Sequence, residues 1–200
     1  MRRLWIAFFL VFVAGCSPFS DNPLTDPNSD KMDSSLYGTW FAKDKDETGY
    51  LHVGLNEKTK LLRVISVEVR RDGKLEIVDI PAHTSSLAGN QYLNLKVDHL
   101  FEEVKGYVFV KYKTEGDSLE FSWMEDAAVK KAIKDGVIRG IITKGEWVSS
   151  ARITDEQTKL QEFILKYDKD LFKEKQFLYR LKLPGMPSER IPNSSKREGG

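Results

Sequence analysis

Cysteine occurs once in the 200 residues, at Cys16, and histidine three times, at His52, His83 and His99. One thiol makes no internal disulfide, and without Cys or His companions it builds no zinc site. Long apolar runs are missing as well. The unbroken one, Leu4 to Ala14, is 11 residues, against the roughly 20 that a helix needs to cross a hydrocarbon core. No glycine-rich phosphate loop, dinucleotide fingerprint or HExxH spacing occurs. A surplus of one charge is absent too, with 31 basic against 30 acidic side chains, which gives no electrostatic ground for a nucleic-acid partner.

What is there begins with MRRLWIAFFLVFVAG. A basic start, a short apolar middle and small residues at the end form a secretory signal peptide over residues 1–15. Val13-Ala14-Gly15-Cys16 resembles the lipobox of bacterial lipoproteins. That resemblance implies cleavage before Cys16, a diacylglyceryl thioether on its sulfur and an acylated new amino terminus. Several chains hold a protein on a membrane without a spanning helix, because each buried methylene contributes about 0.8 kcal/mol. The resemblance also places Ser17 where aspartate marks inner-membrane retention, so the expected location is the outer membrane, facing the periplasm. After cleavage 29 basic residues face 30 acidic ones.

Residues 17–36, SPFSDNPLTDPNSDKMDSSL, are rich in Ser, Asp, Asn and Pro. That composition, with no apolar period, predicts a flexible tether over 16–36. Residues 183–200 read as a disordered tail. Between them, 37–182 is long enough for one domain with its own core.

That core reads as strands at 49–55, 60–70, 74–80, 91–97, 107–113, 118–123 and 175–182, rich in β-branched and aromatic residues and bounded by turn residues. Leu93, Leu95 and Val97 alternate with Tyr92, Asn94 and Lys96, and Leu119, Phe121 and Trp123 alternate with Glu120 and Ser122, so each strand has one face on a core. Short connections predict antiparallel hairpins. Two helices are expected. One spans 125–135, acidic at its front and stopped by Gly136. The other has Thr154 and Gln157 at capping-box spacing and an apolar stripe of Leu160, Phe163, Ile164 and Tyr167 to dock outside the sheet. Many antiparallel strands must close or protect their edges, so the fold class is mainly β: an up-and-down barrel with two short helices, with a β-sandwich as the alternative.

Leu36-Tyr37-Gly38-Thr39-Trp40 resembles the Gly-x-Trp signature of lipocalins and related calycins, and a meander followed by a helix and a final strand is similar to their order. The resemblance implies that Trp40 closes one barrel end and that Arg180 packs across its ring. It departs from the family in the helix at 125–135 and in lacking the second, Thr-Asp-Tyr type motif. GTW, YLHVG, RVISVE, KGYVFVKY and DEQTKLQEFILKYDKDLF are together similar to a group of bacterial lipoproteins, to which the resemblance attaches no activity.

Chemistry is sparse. His52 sits within a strand without a nearby carboxylate and reads as structural. His83 stands beside Thr84, Ser85 and Ser86 in an expected loop, but a nucleophile needs a base aimed at it, which adjacency does not supply. His99 lies among Asp98, Glu102 and Glu103, ligand types for a divalent metal without a defined spacing. No metal or cofactor is therefore assigned. Among strand aromatics (Trp40, Phe41, Tyr50, Tyr92, Tyr107, Phe109, Tyr112, Phe121, Trp123), Tyr50, Tyr92, Tyr107, Tyr112 and Trp123 are the candidates to line a ligand cavity, although such groups also simply fill small barrels. The expected function is a non-enzymatic envelope module binding a small apolar ligand or a partner protein. The alternatives are a hydrolase or metal enzyme built on the His clusters, and a structural factor of outer-membrane assemblies.

Overall fold

Period-two alternation closes the sheet on itself in the structure, a computed structural model that describes residues 17–182 except 28, 30–31, 45–46, 70–72, 99–104 and 145–148. The elements run β1 Phe19–Ser20, β2 Gly38–Asp44, β3 Glu47–Leu55, β4 Leu62–Val69, β5 Leu75–Leu87, β6 Asn90–Lys96, β7 Tyr107–Glu115, β8 Ser118–Trp123, α1 Asp126–Lys134, β9 Gly140–Lys144, β10 Ser149–Ile153, α2 Gln157–Leu171 and β11 Gln176–Arg180. Neighbours β2 to β8 pair antiparallel in sequence order, β11 pairs with both β8 and β2, and β6 pairs with β7. The result is a closed barrel of eight antiparallel strands with two helices. β5 bends to serve both sides, giving its first half to β4 and its second to β6.

Alternate side chains fill the barrel: Leu51 and Val53, Leu62 and Val64, Leu93 and Leu95, Val108 and Val110, Leu119 and Phe121 are buried in one cluster. The face assignment of Leu93, Leu95 and Val97 against Tyr92 and Asn94 holds. Tyr92 and Asn94 are nonetheless fully buried, because a second core covers their side of the wall. There Leu160, Phe163 and Ile164 of α2 pack on Tyr92 and Phe109, together with Val129 of α1, Ala151 and Ile153 of β10, and Leu24. Tyr92 Oη donates to Asp168 Oδ1 at 2.8 Å, and Lys111 Nζ donates to the other oxygen at 2.5 Å, which fastens α2 to β6 and β7.

Two readings of the sequence are corrected. The helix at 157–171 does not start on a Thr154–Gln157 box. Its N-cap is Glu156, whose side chain makes no capping bond, and Gln157 Nε2 instead donates to the Pro23 carbonyl at 3.2 Å. The described part of 17–36 is a packed strap, not a free tether. β1 runs parallel to β10 and meets β7 at Ser20–Tyr107, and Leu24 and Leu36 are buried. Composition misleads here because several of the strap's polar groups find partners on the barrel, which compensates their desolvation. Leu24 N donates to Asn94 Oδ1 at 2.8 Å, Asn22 Nδ2 to the Asp155 carbonyl at 2.9 Å, and Arg152 Nε to Asp21 Oδ1 at 2.5 Å. Three short strands, β1, β9 and β10, went unread: each offers too few residues for a period to show.

Candidate functional site

One barrel end is closed as the lipocalin resemblance implies. Trp40 is fully buried, its Nε1 donates to the Leu36 carbonyl at 2.8 Å, and the Arg180 guanidinium lies 4.1 Å from the ring centre. Arg180 also donates to the carbonyls of Tyr37 at 2.5 Å and Ser35 at 2.8 Å, tying the short 3-10 turn Ser34–Leu36 over the mouth. Asp33 caps that turn through Ser35 N and accepts from Tyr112 Oη at 2.9 Å inside the barrel. Burial, with the Asp33 carboxylate beside it, raises the Tyr112 pKa.

Below this plug the interior is packed among the described residues. The void lined by Leu36, Leu51, Val64, Leu95, Tyr112 and Phe121, among others, measures about 30 Å³, room for one water and far under the roughly 300 Å³ where small-molecule pockets begin. The five candidate aromatics do not converge on it. Tyr112 lines it and Trp123 is packed in the same core, edge-on to Phe121. Tyr50 lies on the outer wall, Tyr92 lies under α2, and Tyr107 packs edge-on against His83. Tyr50, Tyr92 and Tyr107 are corrected on this ground as lining of the barrel interior, Tyr107 lining a crevice on the outer face instead: in a strand the neighbours of an inward residue point outward.

The histidines are placed as follows. The expected loop at 83–86 is corrected: these residues are the second half of β5, paired with β6, and His83 is buried on its outer face with ring Nε2 2.8 Å from the Thr25 carbonyl. A carbonyl only accepts, so that nitrogen carries the hydrogen. The Ser85 hydroxyl bonds to Thr25 Oγ1 at 2.7 Å and accepts from Asn94 Nδ2 at 2.8 Å. The base is thus aimed at the strap and not at the hydroxyl, and the cluster works as a clasp. Beside it a crevice of about 200 Å³ is lined by Pro27, Thr59, Pro81, His83, Lys96 and Tyr107. It brings one imidazole and one ammonium together without a carboxylate. His52 Nδ1 lies 3.0 Å from Thr39 Oγ1 on an exposed stretch of wall. His99, Glu102 and Glu103 fall outside the described residues, while Asp98 accepts from Gly106 N at 2.7 Å. Among the described residues no group of His, Cys, Asp and Glu is arranged to hold a metal. Cys16 also lies outside the described residues, one residue before Ser17, which is buried.

One apolar surface among the described residues was not singled out by the sequence. Away from the helices, the outward residues of β11, β2, β3, β4 and β5 align as Tyr179, Phe41, Tyr50, Val67 and Ile77, each the direct cross-strand partner of the next. Phe41 and Tyr179 rings are 6.3 Å apart. Alternation in β4 carried the signal: Ile65, Val67 and Val69 alternate with Ser66 and Glu68, and the structure turns the apolar set outward and buries the polar one. Compared with known protein families, curated proteins and solved structures, the chain matches none.

Proposed function

We propose that this is a lipoprotein anchored through Cys16 in the bacterial outer membrane, facing the periplasm, and that its lipocalin-like barrel is a non-enzymatic binding module acting through its outer wall. The packing of the lumen among the described residues supports the second half of that reading: the void of about 30 Å³ there is too small for an apolar ligand, while an uncharged stripe crosses five strands outside. The lipobox and signal peptide support the first half. The strap adds a consequence. Cys16 is one residue from buried Ser17 and three from Phe19 of β1, so a lipid on its sulfur lies within about 11 Å of a paired strand. The barrel would be held against the bilayer by a short rigid link in place of a free tether.

The test is native mass spectrometry of the full-length protein released from membranes, with chemical cross-linking in intact envelopes alongside. The expected result is a chain without a bound apolar small molecule that cross-links to protein through the outer wall. A stoichiometric small ligand retained by the barrel would overturn the outer-wall reading.

A further inference from the structure

We infer that the wall of β11, β2, β3, β4 and β5 is a self-association face, covered in the working protein by the same wall of a second copy. The inference rests on the reading above and deepens it by naming the partner of the outer wall.

The stripe Tyr179–Phe41–Tyr50–Val67–Ile77 carries no charge from end to end. It spans about 19 Å at the usual strand spacing. Apolar residues flank it: Phe177 and Leu181 on β11's side, Val69 and Leu75 at the far corner. Exposure is high for such side chains, 63 % for Leu75 and Ile77, 54 % for Tyr179 and 48 % for Phe177. At 150–250 Å² per large side chain, the patch offers roughly 600 Å². That stands at the top of the roughly 300–600 Å² of the largest patch on an ordinary monomer, where such patches are often functional, and approaches the about 800 Å² per partner of a standard interface.

Geometry favours a copy over the other covers. The bilayer lies elsewhere: the chain leaves the fold at β1, which meets β7, and β7 is four places from β3 in the ring of eight, on the opposite wall. The chain's own last 18 residues bring Leu183, Met186 and Ile191 as their large apolar side chains, too few to cover the wall. A closed barrel has no free edge there, so contact is face to face, with the two walls about 10 Å apart. A two-fold axis in the interface plane, across the middle of the stripe, lays Tyr179 of one copy on Ile77 of the other and brings the two Tyr50 side chains together. An uncharged stripe meets itself without like-charge repulsion, which the isologous arrangement requires.

The experiment uses the full-length chain in isolated membranes. Tyr50→Cys adds the thiol that a short bis-maleimide joins, with Leu165→Cys on the helix wall as the control. Expected are a product of twice the chain mass from Tyr50→Cys and none from Leu165→Cys. In detergent, sedimentation should show a concentration-dependent dimer that Ile77→Lys and Tyr50→Lys weaken by about a hundredfold without lowering the melting temperature of the monomer. A wild-type monomer at all concentrations, or equal cross-linking at both positions, overturns the inference. Cross-linking of Tyr50→Cys to a different envelope protein also overturns it and leaves the outer-wall reading standing. A bound small ligand with no cross-linking overturns both.

Discussion

At Gly38 the backbone takes φ +125, and a Cβ there would lie 2.6 Å from Arg180 Nη1. Both strain and collision thus protect the guanidinium's seat on Trp40. Gly38→Ala should cost about 1–3 kcal/mol and lower the melting temperature, and most of that penalty should persist in an Arg180→Ala background, since a φ of +125 strains an L side chain whether or not a guanidinium faces it. A second residue-scale prediction concerns alkaline pH. Tyr92 and Tyr112 are pushed above the ordinary tyrosine value, foremost by burial and then by Asp168 and Asp33 respectively. Their folded pKa values are raised, so the stability they contribute is complete below the unfolded value near 10 and is lost as pH rises above it. Melting temperature measured from pH 9 to 11.5 should fall less steeply in Tyr92→Phe and Tyr112→Phe than in the wild type. The Gly38, Trp40 and Arg180 constellation was reached in the sequence through the Gly-x-Trp resemblance, which implied the Arg180 contact. The outward placement of Tyr50, Tyr92 and Tyr107 follows from strand period, but aromatic identity drew them to the lumen.

For the elements, the strap and α2 are the parts whose stability depends on polar matching. Asn94 is fully buried and bonds the Leu24 N–H, the His83 carbonyl and Ser85 Oγ. Asn94→Ala leaves a buried N–H unpaired, at a cost of about 1–3 kcal/mol. Hydrogen exchange should quicken in residues 17–29 before it does in β2 to β4. Asp155 gives a signed acid counterpart. Burial disfavours its charge, yet hydrogen bonds from the Arg139 backbone and guanidinium outweigh that and hold its pKa below the ordinary value. Its contribution is present above the unfolded value and lost as pH falls through the folded one, and Asp155→Asn should flatten stability below about pH 4. The strands of the ring were readable because each presents several alternating residues. The strap was not, because its order comes from partners such as Asn94 and Gln157, 70 positions away for Leu24 and 134 for Pro23, and composition is blind to distance in sequence.

For the whole molecule, two cores share one wall: the barrel interior on one side of β6 and β7, the helices, β9–β10 and strap on the other. The strap's exit and the apolar stripe occupy opposite walls of the barrel. Phe163→Ala empties the second core, at a cost of about 3–5 kcal/mol, and should loosen α2 and the strap together while the ring keeps its strand signal in circular dichroism. The central claim is that a lipid on Cys16 begins the mature chain and continues directly into this packed strap. Its most direct test is the intact mass, with sequencing of the first peptide, of protein extracted from membranes. The account predicts a chain starting at Cys16 whose sulfur bears a diacylglyceryl group and whose amino terminus is acylated. An unmodified Cys16, or a chain that begins at any other residue, would contradict it.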